Sequence, residues 1–249
     1  SNSALKEKYA GIEIPHLKKG ELFKKLTGNE RGLLRRKYNI PFNKTVVVFL
    51  GTPRKHKGIF ELCELIKNNK NLFLLIVGDF EDEVLKNEIY TFKTARISIL
   101  ESIPYEEATI LLSACDIYIN TPDLDDPITN YQLPSKLIDS IAAGLCVISK
   151  KTRPLEFLIK EGVVIEFESD VNILIDSFNE QRREFNRKYF IENLTIESQR
   201  NIVTQLNSLD NNLLKDVPFN FLKKLVEVDR QFLLLNYCYP ELVKSKDTV

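Results

Sequence analysis

Short apolar runs alternate with amphipathic segments between residues 45 and 167 of this chain. Six runs predict strands, at 45–50, 72–77, 97–100, 117–120, 146–148 and 163–167. Apolar residues at helical spacing predict helices at 59–66, 83–94, 104–115, 134–143, 153–161 and 170–178. The first strands are continuously apolar, which is typical of parallel strands buried on both faces. The pattern therefore predicts an α/β fold, a Rossmann-like doubly wound parallel sheet of about six strands with helices on both faces.

Flanking segments extend this sheet domain, which we place at residues 44–206. Residues 1–4 resemble the remnant of an expression tag, and residues 5–43 are interpreted as a linker with a short helix at 30–38. Residues 207–249 are predicted to form C-terminal helices, with helical apolar spacing at 221–235. We expect the apolar end of that helix to pack on the domain's own flank. The alternatives are a missing domain or a membrane surface, the latter giving peripheral membrane association.

Composition narrows the class of protein. The chain has 249 residues with 35 basic and 35 acidic side chains, which argues against a general polyanion binder and hence against nucleic acid as a partner. Four widely spaced cysteines fall in apolar runs, which favours buried, reduced thiols in the cytoplasm: Cys63, Cys115, Cys146 and Cys238. With only two histidines, we expect no metal site. No signal peptide is visible, and no apolar stretch approaches the ~20 residues of a membrane helix.

Residues 131–148 predict a loop, a helix, a glycine stop and a buried strand. Pro134 suits the first helical turn, and Gly144 suits a left-handed helix cap. Ser135 and Asp139 are four residues apart and so share one helix face. The free N–H groups of the first turn favour an anion, and a carboxylate one turn further in suits sugar hydroxyls, so we interpret the stretch as a cradle for a sugar nucleotide. A structural hydrogen bond is the alternative role for Asp139.

Cations occur in two of the predicted loop-to-helix junctions. The loop at 51–58 follows a strand and offers two glycines, Arg54, Lys55 and Lys57, which suits a diphosphate. A solvated basic turn is the alternative, and the loop matches neither a Walker A nor a G-x-G-x-x-G pattern. Lys136 in the first turn of a helix opposes the helix dipole unless a phosphate binds there, although a lysine that merely extends across the sheet edge is equally consistent.

The order of these motifs resembles that of the retaining family 4 glycosyltransferases of the GT-B fold. Residues 134–148 are similar to the family's P-x-K-L-x-E-x-M-A-x-G-x-P-V-I segment, and residues 51–58 to its G-R-x-x-x-x-K-G turn. Residues 76–79 resemble I-V-G-x-G, residues 99–107 resemble V-x-F-L-G-x-V-x-x-E-E, and residues 115–122 resemble A-D-V-x-V-x-P-S. The resemblance covers about residues 12–206 and implies one half of a GT-B fold, the C-terminal half that binds the nucleotide-sugar donor.

The resemblance also assigns roles to residues. Lys57 would act in catalysis by holding the donor diphosphate, with Arg54 as a substitute because Thr52 takes the family's arginine position. Asp139 corresponds to the glutamate that binds the ribose, and Ile103 falls in the segment that receives the base. The remaining donor-binding assignments are Gly51, Thr52, Gln132, Leu133, Pro134, Ser135 and Lys136.

One position departs from the family pattern. Tyr131 stands where the family has a first glutamate near the sugar, and no Glu occurs between Glu107 and Glu156. The sugar would instead be held by Asn130, by Gln132 or by an aspartate of the loop at 123–126. The alternative is that the loop aspartates are ordinary turn residues.

The resemblance implies transfer of a sugar from a UDP- or GDP-linked donor to an acceptor hydroxyl, with retention, in glycan or surface-polysaccharide biosynthesis. Neither a cofactor nor a metal is expected. A glycan or lipid-linked acceptor would bind a missing N-terminal domain, and the enzyme would be cytoplasmic, including the inner face of the membrane. Two rivals stay open: a catalytically inactive transferase-like module that binds nucleotide or regulates a partner, and an unrelated nicotinamide-dependent enzyme, against which the absent G-x-G-x-x-G motif weighs.

Overall fold

A computed structural model describes residues 16–92, 96–167 and 179–199, all within one compact unit, Ser1–Arg200. The predicted helix at 170–178 and the predicted C-terminal helices at 207–249 lie outside the described residues. The domain boundaries proposed from the sequence therefore stay predictions.

The six predicted strands form one fully parallel sheet. They are Thr45–Leu50 (β1), Leu72–Val77 (β2), Ile97–Leu100 (β3), Ile117–Asn120 (β4), Cys146–Ser149 (β5) and Val164–Glu166 (β6). Their order in the sheet is β3-β2-β1-β4-β5-β6, which confirms the predicted doubly wound fold. The direction of winding reverses between β1 and β4, and this is the point at which ligands bind in such sheets, beyond the carboxyl ends of the strands.

Helices follow the strands nearly as predicted. The described α-helices are Gly28–Lys37 (α1), Ile59–Asn68 (α2), Glu83–Thr91 (α3), Tyr105–Leu112 (α4), Ser135–Ala142 (α5), Glu156–Lys160 (α6) and Glu180–Asn193 (α7). The single helix predicted at 153–161 is wrong: a 3-10 turn, Arg153–Leu155, precedes α6. Pro154 sits in that turn, where its missing N–H costs no hydrogen bond.

Two hydrophobic cores lie on opposite faces of the sheet, because successive side chains of a strand point to opposite sides. In β1, Val46 and Val48 join one core while Val47 and Phe49 join the other. Helices α2 and α3 cover one face, with α4, α5 and α7 on the other. Burial of each such Val or Phe contributes roughly 1.5–3 kcal/mol, so the two cores anchor the strands whose ends form the site.

Helix α7 fastens the ends of two preceding helices. Arg183 donates to the carbonyls of Ser113 and Cys115 at 3.3 and 2.7 Å, beyond α4, and Arg187 donates to that of Ala143 at 2.8 Å, beyond α5. Cations here satisfy carbonyls that a helix end leaves unpaired. Gly144 has φ +80°, as its predicted cap role requires, and an added Cβ would lie 3.0 Å from the Arg183 carbonyl oxygen. The glycine therefore permits α7 to dock.

Asp116 holds several elements together at the amino-terminal edge of the sheet, the edge opposite to the carboxyl ends of the strands. Its side chain is buried, and its Oδ2 accepts from Arg35 Nη2 at 2.7 Å and from the Val46 backbone N–H at 2.8 Å. Arg31 binds its Oδ1, and Arg183 lies 3.6 Å from the same oxygen. The aspartate of the A-D-V-like segment is thus a structural anchor for α1 and α7.

Cys63, Cys115 and Cys146 are buried, as predicted, whereas Cys238 lies outside the described residues. Burial raises the pKa of the Cys63 and Cys115 thiols to about 12, so both stay protonated at neutral pH. Within the described ranges, no helix combines the length and apolarity needed to cross a membrane.

Candidate functional site

Glycine backbones bring the ends of β1 and β2 together at the carboxyl edge of the sheet. Gly51 and Gly78 have φ +114° and +149°, which residues with a Cβ rarely adopt. A Cβ on Gly78 would lie 2.4 Å from the Gly51 carbonyl oxygen, whereas a Cβ on Gly51 would meet nothing within 4 Å. The space beside Gly51 is therefore open, as close approach of a ligand to the backbone requires.

A third glycine, Gly58, lies where the loops on the two sides of the winding reversal meet. Gly58 has φ +73° and precedes α2, and its missing Cβ would lie 2.1 Å from the carbonyl oxygen of Thr121, just after β4. Nearby, the Asp123 backbone N–H donates to the His56 carbonyl at 3.0 Å. The predicted phosphate loop, 51–58, is therefore packed against the loop that follows β4.

The two cations assigned to this loop have different partners. Lys57 Nζ donates to the Thr52 carbonyl at 2.9 Å, and within the described ranges it has no carboxylate partner. Burial, reinforced by Arg54, lowers the pKa of Lys57. Arg54 instead pairs with Glu81 through Nη2 and Oε2 at 2.9 Å. Among the described residues Lys57 therefore has no hydrogen-bonded carboxylate, while Arg54 would have to leave Glu81 to reach a phosphate.

Helix α5 begins at the same edge of the sheet, because it starts after β4 and runs back to the beginning of β5. Pro134 is its N-cap residue, so the prediction that this proline lies inside the first turn is wrong by one position. Within the described residues no side chain caps this helix start, and the Leu137 N–H donates to the Pro134 carbonyl at 3.1 Å, so it is the N–H groups of Ser135 and Lys136 that lack a cap. Such groups attract an anion, which agrees with the predicted cradle.

Asp139 is completely buried and already has partners. Its Oδ1 lies 2.8 Å from Lys18 Nζ and accepts the Tyr105 hydroxyl at 2.8 Å. Lys18 Nζ also donates to Ser135 Oγ at 2.8 Å, so it bridges the polar pair on the face of α5. Lys136 Nζ lies 3.4 Å from the other oxygen, Oδ2. The structural hydrogen bond that was the alternative role for Asp139 is therefore present. Binding of a ribose by Asp139 stays a prediction.

Sequence reasoning missed Lys18 and Tyr105. Both are far from Asp139 along the chain, and neither belongs to a motif that the resemblance uses for the ribose. The available signal was the aspartate itself, because a carboxylate on an apolar helix face requires a buried partner. That requirement predicts that a cation exists but not which one.

The other predicted donor residues are less specific. Leu133 is buried in the core shared by α5, and Ile103 packs against the same core, so each offers a ligand mainly its backbone or one exposed edge. Gln132 and Tyr131 are exposed, and both of their backbone N–H groups donate to the Ile128 carbonyl. They follow a 3-10 turn, Pro127–Asn130, within the segment predicted as a polar loop.

The loop aspartates shape turns. Asp126 caps the 3-10 turn by accepting from the Ile128 N–H at 3.0 Å, and Asp123 accepts from the Asp125 N–H at 3.0 Å. These contacts favour the turn-residue alternative for both side chains. Among the described residues, no group of three or more metal-ligating side chains comes together.

A comparison with protein families identifies the class. The model of glycosyl transferases group 1 matches residues 30–195, two thirds of the chain. The chain therefore belongs to the glycosyl transferase group 1 family, as its motifs indicated. No curated protein matches it.

Solved structures share the fold. The Anabaena protein HepE, solved in complex with UDP-glucose, is 16% identical to this chain with a TM-score of 0.63. The match covers 77% of this chain and 56% of the HepE chain. WaaG, a glycosyltransferase involved in lipopolysaccharide biosynthesis, is 15% identical with a TM-score of 0.57, covering 75% and 53%. Sucrose-phosphate synthase from Thermosynechococcus elongatus is 17% identical with a TM-score of 0.61, covering 86% and 56%. The chain thus spans about half the length of these structures and has the fold of one half of a GT-B glycosyltransferase.

Proposed function

We propose that this chain is the donor-binding half of a glycosyltransferase that moves a sugar from a nucleotide diphosphate sugar to an acceptor hydroxyl. One observation carries the proposal. Lys57 lies in the 3-10 turn that follows β1 and has no carboxylate partner in the described part of the chain, and the start of α5, which follows β4, lacks a side-chain cap. A diphosphate answers both requirements, because it supplies negative charge and hydrogen-bond acceptors.

The site residues would act mainly by electrostatics. Lys57 would neutralise the diphosphate as it leaves the sugar, and the N–H groups at the start of α5 would bind its oxygens. Open space beside Gly51 gives the ligand access to the backbone. Asp139 would take a ribose hydroxyl, and Arg54 would contribute once it has left Glu81. No cofactor or metal is part of this proposal.

The donor and pathway are proposed from the neighbours. HepE has been solved with UDP-glucose, which supports a UDP-linked donor, with GDP as the alternative base. WaaG is involved in lipopolysaccharide biosynthesis, which supports a role in glycan or surface-polysaccharide assembly. We propose the cytoplasm or the inner face of the membrane as the location of this activity. We further propose retention at the anomeric carbon and a glycan or lipid-linked acceptor bound by a second domain.

Calorimetric titration with UDP, GDP and ADP tests donor binding. We expect one nucleotide to bind with a micromolar dissociation constant and Lys57→Met to weaken it at least ~10-fold, about 1.4 kcal/mol. Lys188→Met is the matched control, because Lys188 is an exposed lysine of α7 that pairs with Glu192. Equal binding by the Lys57 variant and the wild type would contradict the phosphate role of this loop. If no nucleotide binds, the proposed function is wrong.

A second candidate function is a nucleotide-binding or regulatory module without catalysis. Tyr131, which is exposed where the family has its first glutamate, favours it. The two functions differ in turnover. The chain joined to an acceptor-binding domain should release nucleoside diphosphate from the donor if it is an enzyme, whereas micromolar binding without release would favour the module.

A further inference from the structure

The two carboxylate oxygens of Asp139 have different surroundings. Oδ1 lies 2.8 Å from Lys18 Nζ and accepts the Tyr105 hydroxyl at 2.8 Å. Oδ2 is buried and accepts no hydrogen bond within the part of the chain that the structure describes. Lys136 Nζ lies 3.4 Å from Oδ2 without forming a hydrogen bond. Oδ1 therefore has two partners, whereas Oδ2 can still accept a hydrogen bond.

The two lysines beside Asp139 are also unequal. Lys18 is 16% exposed and has three oxygen partners, Asp139 Oδ1, Ser135 Oγ at 2.8 Å and the Tyr105 hydroxyl at 3.4 Å. Lys136 is 36% exposed, and among the described residues its ammonium group has one ion pair, with Oδ2, and lies 5.0 Å from the Tyr105 ring centroid. Lys18 is consequently held in place, whereas Lys136 covers Oδ2 with a half-exposed side chain that has fewer contacts.

The balance of charge explains why only one of these two lysines has to remain beside Asp139 when an anion binds. A buried carboxylate is stable only with a counter-ion, and Lys18 supplies it. Burial, followed by Lys18, lowers the pKa of His16, so this nearby imidazole stays neutral and adds no charge. Among the described residues, the ammonium groups of Lys18 and Lys136 face the one carboxylate of Asp139, which leaves one positive charge in excess. Lys136 can therefore turn to an incoming anion without leaving Asp139 unpaired.

We propose that Lys18 is a positioning residue of the donor site and that Lys136 is a displaceable cover over Asp139. When a nucleoside diphosphate binds at the start of α5, Lys136 moves from Asp139 to the diphosphate. Oδ2 then accepts a single ribose hydroxyl, while Lys18 and Tyr105 keep Oδ1 and fix the carboxylate. This inference rests on the proposed function, since it assigns residues within the same donor site.

A ligand series tests the single-oxygen contact. The nucleoside diphosphate that binds best among UDP, GDP and ADP is titrated beside its 2′-deoxy and 3′-deoxy analogues. For the wild type we expect one analogue to bind about 10-fold more weakly and the other to bind like the parent, because Oδ2 accepts one hydroxyl. Equal weakening by both analogues would overturn the single contact.

Variants of the same chain test the division of roles. Lys18→Met should weaken the parent nucleotide to the level of the sensitive deoxy analogue, and the missing hydroxyl should then cause no further loss. Lys136→Met should weaken the parent while it preserves the penalty for the missing hydroxyl. Lys25→Met is the control that should change neither, because Lys25 is exposed and pairs with Glu184.

A thermal melt shows whether Lys18→Met folds. If it does not fold, a second variant still tests the inference. Tyr105→Phe removes the other hydrogen bond to Oδ1 but keeps the counter-ion, so it should fold and reduce the penalty for the missing hydroxyl several-fold. An unchanged penalty in both variants would overturn this inference and leave the proposed function intact. Failure of the wild type to bind any of the three nucleotides would overturn both.

Discussion

The aspartates of this chain show how surroundings decide the role of one side chain. Asp116 is buried among arginines and holds α1 and α7 to the sheet. Asp139 is buried beside two lysines at the start of a helix, where one of its oxygens stays without a hydrogen bond. Asp123 and Asp126 cap turns at the surface. Both buried carboxylates face more than one cation, but only Asp139 lies at the start of a helix and keeps an oxygen without a hydrogen bond among the described residues, and this points to a ligand.

At this scale the first prediction concerns Asp116. Asp116→Asn removes the negative charge between buried guanidinium groups, and breaking a buried pair in this way costs roughly 3–5 kcal/mol. We expect the free energy of unfolding, measured by urea denaturation, to fall by that amount. Asp125→Asn is the control, because Asp125 is exposed and should change stability by less than ~0.5 kcal/mol. Equal stability of the two variants would contradict the anchoring role of Asp116.

The sequence proposed candidate site residues but not the partners that the structure gives them. Asp139, Lys57 and Ser135 were proposed because spacing along one helix or one loop is local information. Lys18 was not, since it reaches Ser135 across 117 residues and Tyr105 reaches Asp139 across 34. Such contacts depend on how the linker packs on the finished sheet, which no periodicity encodes.

At the scale of the element, the loop at 51–58 depends on Gly58. Gly58→Ala would force φ +73° on a residue with a Cβ and place that Cβ 2.1 Å from the Thr121 carbonyl oxygen. We expect a loss of more than ~2 kcal/mol in the free energy of unfolding, together with weaker nucleotide binding, because the loops after β1 and β4 must separate.

Gly162→Ala provides a matched control for that prediction. Gly162 has φ +70°, but an added Cβ would meet nothing within 4 Å. Only backbone strain remains there, so we expect a loss of about 1–2 kcal/mol and no change in nucleotide affinity. If the two alanine variants lose the same stability, the close contact between Gly58 and Thr121 has no energetic role.

Strands were predicted almost to the residue, and helix ends were not. β1 and β2 have the predicted bounds because continuous apolar runs bounded by polar residues leave little choice of register. The segment at 153–161 has helical spacing, yet it starts as a 3-10 turn because the chain must bend there before α6. The end of a helix depends on capping and tertiary contacts that the apolar pattern does not contain.

At the scale of the whole molecule, the chain is a family member that spans about half of its structural neighbours. We propose that the acceptor binds the other half, so this chain alone should bind the donor nucleotide but transfer sugar poorly. A transfer assay with UDP-glucose and a glycan acceptor should give a rate near background. Near-full activity of this chain by itself would contradict the need for a second domain.

The most direct measurement of the central claim is a two-dimensional amide NMR titration of the ¹⁵N-labelled chain with UDP, GDP and ADP. The account predicts that the nucleotide which binds will shift the amide signals of Gly51, Lys57, Ser135 and Lys136, at the carboxyl ends of the strands. A depression of about 430 Å³ lies at the opposite, amino-terminal edge of the sheet and is lined by residues that include Arg31 and Lys44. Shifts confined to that edge, or no shifts with any of the three nucleotides, would contradict the account.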